Sequence, residues 1–391
     1  RAVKGAASRK GAPARPRIGF HAPIAGGLAN ALLKAKEHGC DAVQMFSRNP
    51  RGWKARPLEP EEVAHFKRVR RASGVKVVAV HANYLINLAA ADEEIRSKSV
   101  ASFREEVERA LLLGADYLIV HPGSARGACE SDALRTCAES LKSACTGLKM
   151  RRFRILIENT AGQGECIGHR FEHLREISAR CPELNLGVCL DTAHAFTAGY
   201  DLRDEDGLSA ALDSLGRQVG PRNVLAVHFN DSRAAYNSRV DRHWHIGLGH
   251  IGAEALRRVA TDPRLAHAAF LLETPQDELA DDARNLGVLR SFLDGNDAPA
   301  GKEEAILDIR LKDRTEGPFY LQIRRQVEAL ISAGQLKPGD ALPSPASLGQ
   351  RLSVDRGEVQ RAYFELEHAG LVTKSTGRDF LGKEKVTYAV K

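Results

Sequence analysis

Long apolar runs are missing from this 391-residue chain. No stretch approaches the roughly 20 consecutive apolar residues that cross a bilayer as a helix, so no membrane partner is expected and the chain should be soluble. Cysteine is sparse and poorly arranged for pairing. The seven residues are an odd number and none forms Cys-x-x-Cys, which speaks against a disulfide framework and against thiolate zinc sites. Cys129, Cys137 and Cys145 recur every eight residues, as partly buried thiols on one helix would, and Cys189 sits inside an apolar run; a reducing compartment follows. Acidic residues are absent from positions 1–17, where Arg1, Lys4, Arg9, Lys10, Arg15 and Arg17 carry most of the net charge of +7. With Ala, Gly, Ser and Pro between them, residues 1–16 read as a disordered basic tail. It either touches phosphates without reading sequence or is simply solvated. Because the sequence opens on Arg1 rather than Met, no transit peptide is argued from this tail. No internal repeat of roughly 20–50 residues is detectable, which leaves repeat architectures aside.

What is present is a recurring pattern. Six short apolar runs each end on a histidine or carboxylate: residues 77–80 before His81, 117–120 before His121, 155–157 before Glu158, 188–190 before Asp191, 224–227 before His228 and 270–272 before Glu273. Two more runs precede them, 17–20 before His21 and 41–46 before the polar loop 47–53. Continuous apolar runs of this length read as strands buried on both faces of a parallel sheet. Helical patterns lie between them. Residues 92–113 place Phe103, Val107 and Leu111 four apart behind a capping Asp92, and Pro60 suits the first turn of a helix continued by Phe66 and Val69. Eight strands alternating with helices predict an α/β fold, a (β/α)8 TIM barrel over residues 17–294. Such barrels place their chemistry at the C-terminal strand ends. One histidine there would ordinarily be a packing residue; six polar residues in register point to a polyvalent metal site.

Three further residues lie near the six. His194 follows Asp191 by three positions, and Asp241 and His243 flank Arg242 so that an extended loop sends both side chains the same way. Imidazole with carboxylate and no thiolate suits zinc in a catalytic setting, with manganese or iron as the lesser alternatives. Glu158, Asp191, Asp241 and Glu273 bring four negative charges, more than one dication neutralises. Three dications would leave a surplus of positive charge to hold a phosphodiester anion, and nine ligands over three ions leave positions open for water and substrate. Metal-assisted phosphodiester hydrolysis is thereby favoured over carbonyl chemistry. A sugar isomerase or epimerase on the same barrel, needing fewer metals, is the alternative.

At these residues the chain resembles the endonuclease IV family of zinc-dependent apurinic/apyrimidinic endonucleases. The resemblance covers residues 17–294. It rests on His81-Ala-Asn-Tyr-Leu-Ile-Asn-Leu88, His121-Pro-Gly-Ser124, Ile157-Glu-Asn-Thr-Ala-Gly-Gln-Gly164 and Gly187-Val-Cys-Leu-Asp-Thr-Ala-His-Ala-Phe196. Ala198-Gly-Tyr-Asp201, His228-Phe-Asn-Asp231 and Ser238-Arg-Val-Asp-Arg-His243, leading to Ile246-Gly-Leu-Gly249, complete the match. It implies three Zn2+ per chain: one on His81, His121 and Glu158, a second sharing Glu158 and adding Asp191, His228 and Glu273, a third on His194, Asp241 and His243. It also implies base excision repair, by hydrolysis of the phosphodiester 5′ to an abasic site in double-stranded DNA, leaving 3′-hydroxyl and 5′-deoxyribose phosphate ends. Glu158 or Glu273 would orient or deprotonate the attacking water. Arg51 and Tyr84, with Leu85 adjacent, match the family residues that enter the duplex; read without the resemblance they would be a solvated cation and a rim packing residue. His21 is expected to support the ligands rather than to be one. Arg233, Pro50 and Asn237 depart from the family pattern without touching the ligand set. A cytoplasmic, nucleoid-associated monomer is expected.

Residues 295–304 are a linker by composition, and 305–391 read as a winged helix-turn-helix domain. A short strand is expected at 305–311, helices at 318–334, 347–352 and 356–369, and a hairpin at 371–381. Pro318-Phe-Tyr-Leu-Gln-Ile323, Gly334-Gln-Leu-Lys-Pro-Gly-Asp-Ala-Leu-Pro-Ser344 and Arg361-Ala-Tyr-Phe-Glu-Leu366 resemble the gluconate-repressor (GntR) type. Ala346, Asp355, Glu358 and Asp379 depart from it where DNA would be touched, and carboxylates facing phosphate repel it. Weak nonspecific DNA contact, a protein-docking role, and a transcription regulator with a sensing barrel are the competing readings.

Overall fold

In a computed structural model, residues 15–276, 281–296, 307, 309–378 and 384–391 are described. They divide into two compact units, one ending at Asn296 and the other lying beyond it.

The first unit alternates strand and helix: β1 (Arg17–Phe20), α1 (Ala29–Glu37), β2 (Ala42–Phe46), α2 (Pro60–Ser73), β3 (Val77–His81), α3 (Glu93–Leu113), β4 (Tyr117–Val120), α4 (Glu130–Cys145), β5 (Arg154–Glu158) and α5 (Phe171–Arg180). There follow β6 (Gly187–Asp191), the short α6 (Thr192–Thr197), α7 (Glu205–Val219), β7 (Val224–His228), a small hairpin of β8 (Asp231–Ser232) and β9 (His243–Trp244), α8 (Ala253–Thr261), β10 (Ala269–Leu272) and α9 (Asp281–Leu293). Eight strands form one parallel sheet in the order β1-β10-β7-β6-β5-β4-β3-β2. Its two ends meet through a parallel bridge between His21 and Gln44 and the bond from Ala22 N to Gln44 O, 2.8 Å. This unit is thus a (β/α)8 barrel, and each apolar run expected to be a strand is one. Its interior is filled by Ala42, Ala79, Ile119, Leu156, Cys189 and Leu271, contributed by neighbouring strands. The closing seam needs glycine: a Cβ on Gly19 would overlap Ala42 O.

Helix α2 opens on Pro60 without a side-chain cap, and Asp92 caps α3 by accepting from Ile95 N. Phe103 and Val107 are buried on α3 as the periodicity predicts, whereas Leu111 is only half-buried. The same helix also buries Ser102, Glu106 and Arg109, a polar face that the apolar spacing does not announce. All seven cysteines are free, Cys137 and Cys145 inside α4 and Cys129 exposed at its start. Among the described residues no helix is long and apolar enough to cross a membrane.

The second unit contains α10 (Phe319–Ser332), β11 (Ala341–Leu342), α11 (Pro345–Leu352), α12 (Arg356–His368), β12 (Val372–Arg378) and β13 (Glu384–Val390), with the antiparallel strand order β11-β13-β12. Ile323, Val327, Val359, Tyr363, Leu366 and Tyr388 pack in its own core, as a winged helix-turn-helix requires. Two expectations are corrected. Among the described residues of 305–311 there is no strand. Backbone N–H groups of Arg310 and Lys312 bond instead to the side-chain oxygens of Gln326 and Gln322 on α10, each at 2.9 Å. The hairpin is also longer than expected, because β13 runs to Val390 and pairs with both β12 and β11. The basic tail up to residue 14, most of the linker and Asp379 lie outside the described residues.

Candidate metal centre

Parallel strands that end together bring their last residues to one rim, and here the rim is polar. His81, Glu158, Asp191 and His228 are the final residues of β3, β5, β6 and β7, while His121 and Glu273 immediately follow β4 and β10. The turn into α6 adds His194, whose N–H bonds to Asp191 Oδ1 at 2.7 Å. The β8–β9 hairpin brings in Asp241 and His243. All nine residues singled out in the sequence meet at one end of the barrel.

Their donor atoms form overlapping groups. Glu158 is fully buried at the centre. Its Oε2 lies 3.2 Å from His81 Nε2 and 3.1 Å from His121 Nε2, and its Oε1 lies 2.9 Å from His228 Nδ1. His228 Nδ1 is also 3.1 Å from Glu273 Oε2 and 4.0 Å from Asp191 Oδ2. On the outer side, His194 Nε2 lies 3.2 Å from Asp241 Oδ2, and His243 Nε2 is 3.7 Å from Asp241 Oδ1. Asp191 Oδ2 is nearer to His243, at 3.3 Å, so Asp191 stands between the central and outer groups.

Neighbouring backbone and amide groups fix which nitrogen each imidazole presents. His81 Nδ1 donates to Ala82 O at 2.8 Å and His194 Nδ1 to Asn159 O at 2.9 Å, so each turns Nε2 toward the cavity. His228 reverses this arrangement: its Nε2 donates to Gln44 Oε1 at 2.7 Å and Nδ1 faces the carboxylates. The Nε2 atoms of His194 and His243 face each other at 3.4 Å. That spacing suits a proton or a metal ion held between the two nitrogens. Electrostatics describes the same need. Burial alone would raise the Glu158 carboxyl, yet His228 and His121 hold it well below the usual carboxylate range. Burial would lower His243, but the Asp191 carboxylate pushes it up to about 9. Four buried or half-buried carboxylates interleaved with five imidazoles, without thiolate, fit divalent metal ions.

Some residues of the site carry little signal in the sequence. Gln44, buried in the middle of β2, accepts from His228 and donates to Glu273 Oε1 at 2.5 Å. Asn230 Nδ2 donates to Asp191 Oδ2 at 2.8 Å and Asn230 Oδ1 accepts from Glu273 N at 2.8 Å. Asp231 accepts from the N–H groups of Gly247, Gly249 and Ile251, each at 3.0 Å, tying down the loop that follows β9. Polar residues within or beside apolar runs are the available clue. Asn237, expected to differ from a common glycine, has φ +56°, a conformation that Asn tolerates better than most side chains. As expected, His21 borders the ligands: its Nδ1 lies 2.9 Å from Gln44 Nε2 and 3.4 Å from Glu273 Oε1.

The cavity above these groups measures about 730 Å3 and is lined by His81, His121, His194, His243 and Glu273, with Arg51 and Tyr84 at its rim. Arg51 is exposed, Tyr84 is 63% exposed beside Phe46, and Leu85 is half-buried in an adjoining pocket of about 190 Å3. In the second unit Asp355 accepts from Gly357 N at the start of α12, and Glu358 Oε2 accepts from Tyr320 N at 3.0 Å. Two of the three carboxylates that looked repulsive to phosphate, Asp355 and Glu358, are therefore engaged with helix N-termini.

Residues 32–293 match the family model described as xylose isomerase-like TIM barrel, and residues 319–380 match that of the bacterial regulatory proteins of the gntR family. The chain is 42% identical over 282 residues to a protein named probable endonuclease 4 from Chloroflexus aurantiacus, covering 72% of this chain and 99% of that relative. It is 46% identical over 281 residues to endonuclease 4 of Thermus thermophilus, covering 71% and 99%. A crystal structure of endonuclease IV, also from Thermus thermophilus, superposes with a TM-score of 0.65 at 45% identity, over 72% of this chain and all of that one. A D-tagatose 3-epimerase-like protein shares the fold at 22% identity and TM-score 0.56, over 71% of this chain and 97% of that one.

Proposed function

The chain belongs to the endonuclease IV family, and from that premise we propose that it incises double-stranded DNA 5′ to abasic sites, with three zinc ions held by the nine residues of the barrel mouth. The carrying observation is the convergence of overlapping His/carboxylate groups around Glu158 in one cavity. His81, His121 and Glu158 would hold one ion, Asp191, His228 and Glu273 with Glu158 a second, and His194, His243 and Asp241 a third, with Asp191 close to both latter groups. Zinc there would supply positive charge for the phosphate and for the attacking and leaving oxygens.

The protein's own residues divide the remaining work. Both oxygens of Glu158 are engaged by imidazoles and none of it reaches solvent, so its role is to join the ligand groups. Glu273 has Oε1 bonded to Gln44 and Oε2 near His228, but unlike Glu158 it lines the cavity, and we assign to it the orienting or deprotonation of the attacking water. Water adds to phosphorus as the bond to the 3′-oxygen breaks, leaving a 3′-hydroxyl and a 5′-deoxyribose phosphate. Arg51, Tyr84 and Leu85 would enter the duplex while the abasic sugar swings out, which costs least where no base stacks or pairs. The winged helix would add nonspecific phosphate contacts. We place this work in the bacterial cytoplasm.

The shared barrel type keeps a sugar epimerase as the second reading, because Glu158, Asp191, His228 and Glu273 alone would suffice for one metal. A duplex carrying one tetrahydrofuran abasic analogue separates the two. Zinc-loaded protein is expected to nick it 5′ to the analogue, chelator is expected to stop the reaction, and added zinc to restore it. Fully loaded protein that leaves the duplex intact, yet epimerises a ketose, would establish the other reading.

A further inference from the structure

We propose that Glu106 and Arg109 of α3 are positioning residues that lock the loop after β2 and the loop after β3 into one rigid edge, the edge that presents Arg51 and Tyr84. The proposal rests on the reading of those two residues as the ones that enter DNA.

On an outer barrel helix, glutamate and arginine ordinarily face water. Glu106 is fully buried and Arg109 nearly so. Charges removed from water need partners, and Glu106 finds them in both loops, Arg109 in the loop after β2. The Glu106 carboxylate receives one donor from each side: Ser47 Oγ at 2.8 Å from the loop after β2, and Asn83 Nδ2 at 3.4 Å from the loop after β3. Arg109 donates through Nε to Ser47 Oγ at 3.0 Å, through Nη2 to Ser47 O and through Nη1 to Arg56 O at 2.8 Å. It therefore holds the β2 loop at both ends, with Arg51 between them. Asn83 Oδ1 accepts from Leu85 N at 2.9 Å and shapes the turn that exposes Tyr84. The loops also join directly, Tyr84 N donating to Pro50 O at 3.1 Å.

Neither group touches the metal residues or lies in the cavity, so the network has no chemical part in hydrolysis. An apolar layer of the same volume would hold a helix on a barrel at least as well as buried ions do. What the ions add is direction. Hydrogen bonds fix the two loops relative to each other, so their ordering is not a cost of binding DNA.

The test uses the full zinc-loaded chain with Glu106→Gln, and with Ser47→Ala, which removes the shared hydroxyl but leaves both charges. Hydrogen exchange is followed in residues 47–56 and 82–88 of the zinc-loaded protein, and affinity for abasic and intact duplexes is then measured after zinc has been removed by chelator, so that neither duplex is cut. In Glu106→Gln, exchange should rise in both loops together by about tenfold, with β5 to α5 unchanged. Preference for abasic over intact duplex should fall by about tenfold while affinity for intact duplex shifts less than about twofold. Ser47→Ala should move both readings the same way by less. Faster exchange in one loop only, equal loss of affinity for both duplexes, or a wild type with no abasic preference would overturn the clamp. A wild type that binds abasic duplex selectively in chelator yet fails to nick it when zinc-loaded would defeat the proposed reaction, and the exchange and affinity ratios would still decide the clamp.

Discussion

Gln44 is a neutral side chain amid nine titratable ones, and it sets two of them. Its Oε1 accepts a hydrogen bond from His228 Nε2 and its Nε2 donates to Glu273 Oε1, which leaves His228 Nδ1 turned toward the carboxylates. Partners of this kind commonly change metal affinity by about 10–100-fold when removed. Gln44→Leu keeps the volume but deletes these two bonds and the contact with His21, so affinity for an ion shared by His228 and Glu273 should drop within that range while the chain still folds. Competition against a chromophoric chelator measures it; retention of all metal at wild-type affinity would remove Gln44 from the site's design. Most of the nine residues are legible because they stand at a strand end or three residues beyond one, positions that fold geometry alone makes convergent. Gln44 is not legible, since one glutamine in an apolar strand looks like an ordinary interruption. Its partners at the end of β7 and just after β10, 184 and 229 residues away, explain it.

Elements are legible where apolar spacing decides burial and obscure where hydrogen bonds do. The eight strands follow from continuous apolar runs, and α3 from Phe103 and Val107. Its buried Glu106 and Arg109 leave no mark, because periodicity registers only the apolar stripe. Residues 305–311 resemble a strand in their alternating apolar residues, but two glutamines of α10 satisfy backbone groups that a sheet would otherwise pair. The seam between β1 and β2 yields a prediction at this scale. A methyl group at residue 19 would overlap Ala42 O, a backbone atom that cannot rotate away. Gly19→Ala should therefore force the seam apart and destabilise the barrel by about 3 kcal/mol. Trp53 and Trp244, the chain's two tryptophans, both belong to the barrel unit, so their fluorescence in a denaturant titration reports that unit directly. An unchanged midpoint would mean that the seam opens at little cost.

At the scale of the molecule, two units with separate cores make removal of one a fair experiment on the other. The metal residues and the Arg51 and Tyr84 loops all lie in the barrel, so a chain ending at residue 302 should retain the 5′ nick at a rate within about twofold of the full chain. Its dependence on salt should change modestly, because among the described residues α12 and the wing, the parts of a winged helix that meet DNA, expose only Arg356, Arg361 and Lys374 as cations. Arg324 is paired with Glu328 and Glu365, and Arg361 lies over the Tyr320 ring at 3.9 Å. Arg356 at the start of α12 and Lys374 on the wing are exposed. Each phosphate contact contributes close to one unit to the slope of log affinity against log salt. Truncation should then make that slope shallower by about one to two for intact duplex. A slope that stays the same would remove DNA from the module's roles and leave protein docking as the better account. A change of about five or more would mean that the module, and not the barrel, dominates capture of undamaged DNA.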